Sequence, residues 1–340
     1  MARGRPFQCL YRPDLRGKTL KKLTRRELAL MLGAGALAGS AHGKSSRSSV
    51  QPGVVGLAEA KAALGKPLGA EAARLAMSGA LKTAVGEESG VEAAAALFSP
   101  RDTVGIKVNC LAGKVLSPRV ELVEALVDLI AEAGVDRRRI IVFERSNREL
   151  QRAGFTIRES GPPYRCIGTN NDYDREPSTS GAIGSCFARM VSTTCSALVS
   201  FGVVKDHDLS GVSAGMKNWY GVIHNPNKYH DNGCDPYIAD VARHPYIRNK
   251  LRLTVLDGVI AQCHGGPAYR QGGIFELGMV AASTDPVAAD LWAWREIESE
   301  RARRGMPTLE AAGRPVRFLA TAAKAGLGVD DPKRLSLVIA

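Results

Sequence analysis

The stretch from residue 103 to residue 144 decides the fold class: TVGIKVNCLAGKVLSPRVELVEALVDLIAEAGVDRRRIIVFE. Residues 103–109, TVGIKVN, form a short β-branched run that is typical of a strand. In residues 117–135, Ser117 and Pro118 open a helix with apolar residues at helical spacing. Residues 139–144, RIIVFE, predict a second strand. A strand, a helix and a strand in this order indicate a parallel sheet.

The same alternation continues on both sides of this unit. We predict further strands at residues 197–204, 251–258, 278–283 and 335–340, and helices at 57–65, 70–86, 286–303 and 315–325. Residues 158–185 are rich in Gly, Pro, Asn and Asp, which predicts a long surface loop, and such loops are often functional. The predicted fold is therefore a single α/β domain over residues 54–340, with a mostly parallel sheet and helices on both faces.

Charge is concentrated at the amino terminus. The net charge is +12, but residues 1–44 contain ten Lys and Arg against two acids, which leaves a net charge of +4 for the rest of the chain. The rest of the chain has no basic stripe of the kind that binds nucleic acid, so nucleic acid is not expected as a partner. Arg25 and Arg26 precede an apolar, Gly- and Ala-rich run that ends near Ala41 and resembles a twin-arginine export signal. A basic tail followed by an ordinary amphipathic helix is the alternative.

These patterns predict an export signal at residues 1–43, a polar linker at 44–53, and a periplasmic or extracytoplasmic location. The twin-arginine translocase would be a partner during export, and the apolar run is too short for a stable membrane span. Six cysteines follow the signal, and none forms a C-x-x-C pair, so an iron–sulfur motif is absent. Disulfides and buried free thiols both remain open.

Polar residues follow several predicted strands. Asn109 and Glu144 end two of them, Lys205 follows a third, and Asp257 lies at the end of a fourth. In open α/β sheets the carboxyl ends of the strands meet at one edge, where ligands bind. We therefore expect the functional site at this edge, although each residue taken alone could cap a helix or complete a turn.

The segment KDHDLSGVSAGMKNWYGVIHNPNKYH, residues 205–230, holds three of the six histidines. Its apolar spacing predicts a helix that begins near Asp208 or Ser210 and ends at Gly221. The histidines of this segment could bind a divalent metal or act as an acid–base pair. They could also simply form hydrogen bonds to loop backbone. The predicted site comprises His207 and Lys217 as catalytic residues, Lys217, Asn218 and Asp257 as cofactor-binding residues, and Asp206, His207, His224 and His230 as metal ligands.

This segment, together with GCDPYIADV, RLTVLDGV, GGP and STDPVAADL further on, resembles the domain of unknown function 362 family over roughly residues 100–300. Many members carry a cysteine-rich, ferredoxin-like module that this chain lacks. A weaker similarity is to the lactate racemase family. That resemblance implies His207 as a proton-transfer base, Lys217 as the tether of a nickel-bearing cofactor, and His230 or His224 as the nickel ligand.

Other enzyme motifs are absent: there is no G-x-S-x-G elbow, P-loop or H-E-x-x-H sequence. A divalent metal and a nickel-bearing group are the two candidate cofactors. We expect an exported, metal- or cofactor-dependent enzyme that acts on a small anionic substrate. The alternative is a non-catalytic periplasmic module that binds a metal or small ligand for a redox partner.

Overall fold

The structure is a computed structural model that describes residues 52–340. The predicted export signal and nearly all of the predicted linker lie outside the described residues. Within residues 52–340, nine strands form one sheet, and two more form a separate hairpin. The strands are β1 (Val54–Glu59), β2 (Val104–Val108), β3 (Ile140–Glu144), β4 (Arg165–Gly168), β5 (Ser178–Ser180), β6 (Ile183–Ser185), β7 (Ala197–His207), β8 (Gly211–Ser213), β9 (Leu251–Gln262), β10 (Ile274–Ser283) and β11 (Ser336–Ile339).

The large sheet has the order β11-β1-β10-β9-β7-β2-β3-β4, with β8 paired to β7. Within the described part of the chain, five of its eight strand pairs are parallel. The antiparallel pairs are β1–β10, β9–β10 and the β7–β8 hairpin. The prediction of a mostly parallel α/β sheet is confirmed.

Helices cover both faces of the sheet. They are α1 (Ala70–Val85), α2 (Gly90–Leu97), α3 (Val120–Glu132), α4 (Asn147–Ala153), α5 (Tyr237–Ala242), α6 (Pro245–Arg248), α7 (Pro286–Arg303) and α8 (Phe318–Lys324). Short 3₁₀ turns include Lys114–Leu116, Arg137–Arg139, Lys217–Val222, Pro226–Tyr229, Asp231–Cys234, Gln271–Gly273 and Pro332–Arg334, and Met190–Thr194 is a π turn.

Two cores lie on the two faces because successive strand side chains point in opposite directions. In β3, Ile140 and Val142 join the core that contains α1 to α4. Ile141 and Phe143 join the core that contains α5, α7 and α8. Strands buried on both faces are continuously apolar, which is why the apolar runs of β2 and β3 predicted strands correctly.

Most predicted elements are confirmed within a few residues, and the helix at 286–303 matches α7. The helix predicted at 57–65 is wrong, because Val54–Glu59 is a strand between β10 and β11. Its alanine content favoured a helix, but tertiary pairing overrides such weak propensity. The predicted loop at 158–185 contains β4, an edge strand of the sheet, and the β5–β6 hairpin.

The helix predicted between Asp208 and Gly221 is also wrong. The chain reverses after β7, and Lys205–His207 pair with Gly211–Ser213 of β8 in an antiparallel hairpin. Gly211 has φ +76°, a left-handed conformation that interrupts any helix. Residues 210–220 are all buried, so their apolar residues do not mark one helix face. The 3₁₀ turn Lys217–Val222 is the only helical part of this segment.

The six cysteines of the described chain are free thiols, and all except Cys186 are buried. Of the two possibilities left open by the sequence, free thiols therefore describe this structure. Within residues 52–340, no helix is long and apolar enough to cross a membrane.

Candidate functional site

A cavity of about 290 Å³ lies at the carboxyl ends of β2, β3 and β7. Its volume suits a small molecule rather than a polymer. The predicted position of the site, beyond the carboxyl ends of the parallel strands, agrees with this cavity. The residues that line it are Lys107, Asn109, Leu111, Glu144, Arg145, Glu149, His207, Ser213, Lys217, Asn218, Tyr220, Gly221, Pro226, Asn227, His230 and Pro267.

A buried ion pair forms the floor of this cavity. The Lys107 Nζ lies 2.7 Å from Glu144 Oε2 and also donates to the Asn218 Oδ1 at 3.1 Å. Asn218 returns a hydrogen bond from Nδ2 to the Lys107 carbonyl at 2.8 Å. The backbone N–H of Arg145 donates to Glu144 Oε1. Because both charges are matched and hydrogen-bonded, this group fixes the start of the 3₁₀ turn against β2 and β3.

Gly221 closes over the ion pair. A Cβ atom added at Gly221 would lie 2.7 Å from the Lys107 Nζ and 3.3 Å from Glu144 Oε1. Only a residue without a side chain lets the turn approach the pair this closely.

Two further lysines are buried near the cavity without a carboxylate partner among residues 52–340. The Lys205 Nζ donates to the Asn109 Oδ1 at 3.0 Å, and burial lowers the pKa of Lys205 to about 8. Lys217 lines the cavity itself, and its side chain is 7% exposed. Burial likewise lowers the pKa of Lys217 to about 8, since an ammonium without a counter-ion is poorly solvated there.

Lys217 contacts His230. Its Nζ lies 3.2 Å from His230 Nε2 and 4.0 Å from the centre of the Tyr220 ring. The His230 Nδ1 lies 3.0 Å from the Pro226 carbonyl, which can only accept, so we assign the proton of neutral His230 to Nδ1. Nε2 then carries the electron pair that accepts a hydrogen bond from the Lys217 ammonium. Burial, followed by the Lys217 charge, lowers the pKa of His230.

His207 ends β7 and has the opposite tautomer. The backbone N–H groups of Leu209 and Ser210 donate to its Nδ1 at 3.1 and 3.3 Å. The exposed Asp208 carboxylate also lies 3.0 Å from Nδ1. Because two amides already point to this nitrogen, we assign it as an acceptor and the proton to Nε2. Burial, followed by Lys217, lowers the pKa of His207 to about 2, so its ring is neutral.

The two imidazoles stack with ring centres 6.1 Å apart. Because His207 offers an N–H donor and His230 offers an acceptor, the pair can give one proton and take another on neighbouring atoms of one small ligand. The arrangement is therefore suited to acid–base chemistry beside a buried ammonium.

The structure brings four of the predicted site residues to the cavity, namely His207, Lys217, Asn218 and His230. Asp206 does not line it: its carboxylate binds Arg314 at 2.7 Å and the backbone N–H of Gly266 at 2.9 Å. Asp257 accepts from the N–H of Arg119 at 2.9 Å, and burial raises the pKa of Asp257. Both carboxylates are held by structural partners.

His224 is exposed and lies outside the cavity lining. Its ring meets the Tyr173 ring edge-on at 5.8 Å, and its backbone N–H donates to the Cys186 carbonyl. Within residues 52–340, no group of three His, Cys, Asp or Glu side chains is placed to hold a metal ion. A metal at this site would therefore need most of its ligands from a cofactor or a substrate.

Lys107, Glu149 and Tyr220 are among the cavity residues that the sequence did not predict. Lys107 lies inside a strand, where the pattern marked it only as an interruption of apolar residues. A lysine in a strand that is buried on both faces is itself a signal, because lysine is almost never fully buried unless it is paired. Glu149 has a position in the sequence that is ordinary for the first turn of a helix. Nothing in the sequence distinguished Tyr220 from its neighbours.

The family model described as Domain of unknown function (DUF362) matches residues 104–295. The chain belongs to this family. All residues that line the cavity lie inside the range matched by DUF362, and the family's description names no activity.

Among solved structures, the chain is similar to a protein from Thermotoga maritima known by its crystal structure. The two are 11% identical with a TM-score of 0.40, and the match covers 71% of this chain and 61% of that one. No curated protein matches the chain.

Proposed function

We propose that this DUF362 protein is an enzyme that binds a small anion beside Lys217 and exchanges protons with it through His207 and His230. One observation carries the proposal: the Lys217 ammonium is buried in the cavity, and no carboxylate among residues 52–340 pairs with it. A buried charge without a partner is costly, so a bound anion would stabilise both itself and the lysine.

The histidines supply the chemistry in this proposal. Once a carboxylate draws the Lys217 ammonium away from His230, the His207 Nε2–H can donate to the ligand and the His230 Nε2 can accept from it. The two ring centres are 6.1 Å apart, which is close enough for one small ligand at the edges of the rings to contact both. Proton removal beside a carboxylate is difficult because negative charge accumulates, and the ammonium would offset that charge.

Solvent exchange tests this directly. We expect the protein in D₂O to introduce deuterium next to the carboxylate of at least one member of a panel of two- to four-carbon carboxylates, followed by ¹H NMR. Lys217→Met should abolish binding and exchange, whereas His207→Asn and His230→Asn should keep binding and lose exchange. Lys228→Met is the matched control, because Lys228 is an exposed lysine of the same segment outside the cavity lining.

The same experiment separates the enzyme from its main alternative. If the wild type binds anions but no member of the panel gains deuterium, the chain is a ligand-binding module and not a proton-transfer enzyme. If no anion binds, both forms of the proposal are wrong.

A tethered, metal-bearing cofactor is the second candidate. The 3.2 Å separation of Lys217 Nζ and His230 Nε2 favours it, because a group joined to the lysine would lie against an unprotonated imidazole nitrogen. Such a cofactor, nickel-bearing in the lactate racemase family, would supply the metal and most of its ligands. We expect an intact mass above the sequence mass, lost in Lys217→Met, together with bound metal. A mass equal to that of the processed sequence, without metal, would exclude it.

Export is a separate proposal that rests on the sequence around Arg25 and Arg26. We expect their joint replacement by Lys to retain the protein in the cytoplasm, measured by cell fractionation. Unimpaired export of that double variant would contradict a twin-arginine signal.

A further inference from the structure

Two helices of this fold open with the same local motif. Ser89 and Glu92 begin α2, and Ser146 and Glu149 begin α4, both in the pattern S-x-x-E. In each motif the serine Oγ accepts a hydrogen bond from the glutamate N–H at 3.2 Å. In such a capping box the glutamate side chain is expected to turn back toward the serine.

The two glutamate side chains differ in where they go. The Glu92 Oε2 accepts a hydrogen bond from the Ser89 Oγ at 2.9 Å, so this carboxylate stays at its own helix start. The Glu149 carboxylate makes no such bond to Ser146 and lines the cavity. The local sequence therefore does not account for the position of the Glu149 side chain.

Glu149 is also the less satisfied of the two carboxylates in the cavity. Glu144 accepts from the Lys107 Nζ, and the backbone N–H of Arg145 donates to its other oxygen. The only ion-pair partner of Glu149 among the described residues is Arg145, 3.5 Å away, and the Glu149 side chain is 17% exposed. Its carboxyl group also hydrogen-bonds to the Glu144 carboxyl group, which requires a proton shared by the two acids. No amide, hydroxyl or amine group of residues 52–340 donates a hydrogen bond to the Glu149 carboxyl group.

We infer that Glu149 accepts a hydrogen bond from the bound anion, so that the site selects small carboxylates that also carry a hydroxyl or amine group. This inference rests on the proposed function, in which Lys217 holds the carboxylate of the ligand. The cavity charges agree with a ligand of one negative charge, because Lys107, Arg145 and Lys217 face only Glu144 and Glu149.

The electrostatics of Glu149 support the same interpretation. Burial, followed by the neighbouring Glu144 carboxylate, raises the pKa of Glu149. A donor on the ligand would stabilise its ionised form and replace the water that burial has removed.

Three two-carbon probes test this selectivity: acetate, glycolate and glycine, which carry hydrogen, hydroxyl and ammonium next to the same carboxylate. We expect NMR titration of the wild type to give a Kd for glycolate or glycine about tenfold below that for acetate. The preferred probe identifies the donor. Equal affinity for all three, or failure of all three to bind, would overturn the inference. Failure of the whole panel of two- to four-carbon carboxylates to bind would overturn the proposed function as well.

Variants then assign the effect to Glu149. Glu149→Met should remove the preference and leave acetate affinity within about threefold, and Glu149→Gln should retain part of the preference because its amide oxygen still accepts. Glu92→Met, at the same motif position in α2, should leave the preference intact. A preference that survives in Glu149→Met would overturn the inference, whereas Lys217→Met, which tests the proposed function alone, should weaken all three probes together.

Discussion

Lys107 and Lys217 are two buried lysines of one cavity, and their surroundings differ. Lys107 has a carboxylate at 2.7 Å, an amide oxygen and a carbonyl oxygen at its ammonium. Lys217 has an imidazole nitrogen, the face of a tyrosine ring and the Cys234 thiol, none of which is a carboxylate. The complete set of partners at Lys107 indicates a structural role, whereas the absence of a carboxylate at Lys217 among the described residues fits the anion-binding role that we propose for it. The following predictions test this contrast by the stability of variants.

The largest effect is expected at Lys107. Lys107→Met leaves the buried Glu144 carboxylate without its counter-ion, so we expect the free energy of unfolding to fall by about 3 to 5 kcal/mol. The double variant Lys107→Met with Glu144→Leu should regain much of this loss, because no isolated charge remains. Guanidinium denaturation, with the slope compared among variants, measures both. If the single variant is as stable as the wild type, the ion pair of Lys107 and Glu144 has no structural role.

At Lys217 we expect the opposite effect: removal of the charge should raise the free energy of unfolding. Its pKa falls from 10.5 in the unfolded chain to about 8 in the folded protein. Between these values the unfolded state binds more protons, so the stability of the wild type rises with pH across this window. Below pH 8 the buried charge costs on the order of 3 kcal/mol.

Lys217→Met should therefore be more stable than the wild type at pH 7, by about 1 to 3 kcal/mol after the loss of the contact with the Tyr220 ring. The gain should shrink as pH rises from 8 to 10. Lys205, whose pKa is also lowered to about 8, remains in both proteins, so their difference isolates Lys217. Destabilisation that does not depend on pH would mean that Lys217 is an ordinary packing residue.

Gly221 tests how tightly the Lys107 pair is held. Gly221→Ala places a Cβ 2.7 Å from the Lys107 Nζ, and we expect a loss of about 1 to 2 kcal/mol because the paired lysine cannot move freely away. Gly272→Ala is the control, since a Cβ there meets no atom within 4 Å. Equal thermal midpoints for the two variants would show that the Lys107 side chain moves aside without loss of stability.

The smallest effect concerns the two S-x-x-E motifs. Glu92→Ala should lower stability by about half a kcal/mol, because it removes a carboxylate bonded to Ser89 at the start of α2. Glu149→Ala should be neutral or slightly stabilising, since it removes a poorly satisfied carboxylate beside Glu144. A larger loss for Glu149→Ala in urea denaturation would mean that this glutamate stabilises the fold.

The amino-acid sequence by itself determined the α/β class, most strands and the edge of the sheet at which the cavity lies. These features depend on patterns within a few residues: continuous apolar runs in β2 and β3, and helical spacing in α3 and α7. The sequence also selected Lys217, His207 and His230, because their residue types and closeness along the chain pointed to one site.

Only the tertiary structure decided how those residues are used. The helix expected after β7 is a hairpin and a 3₁₀ turn, because the segment runs through the interior, where burial on all sides hides any helical face. Asp206 and Asp257 bind Arg314 and Arg119, which are 108 and 138 residues away in sequence. Lys107 likewise hydrogen-bonds to Asn218, which is 111 residues away in sequence. Whether a charged group is paired or free depends on what the fold brings beside it, and that information is spread over the whole chain.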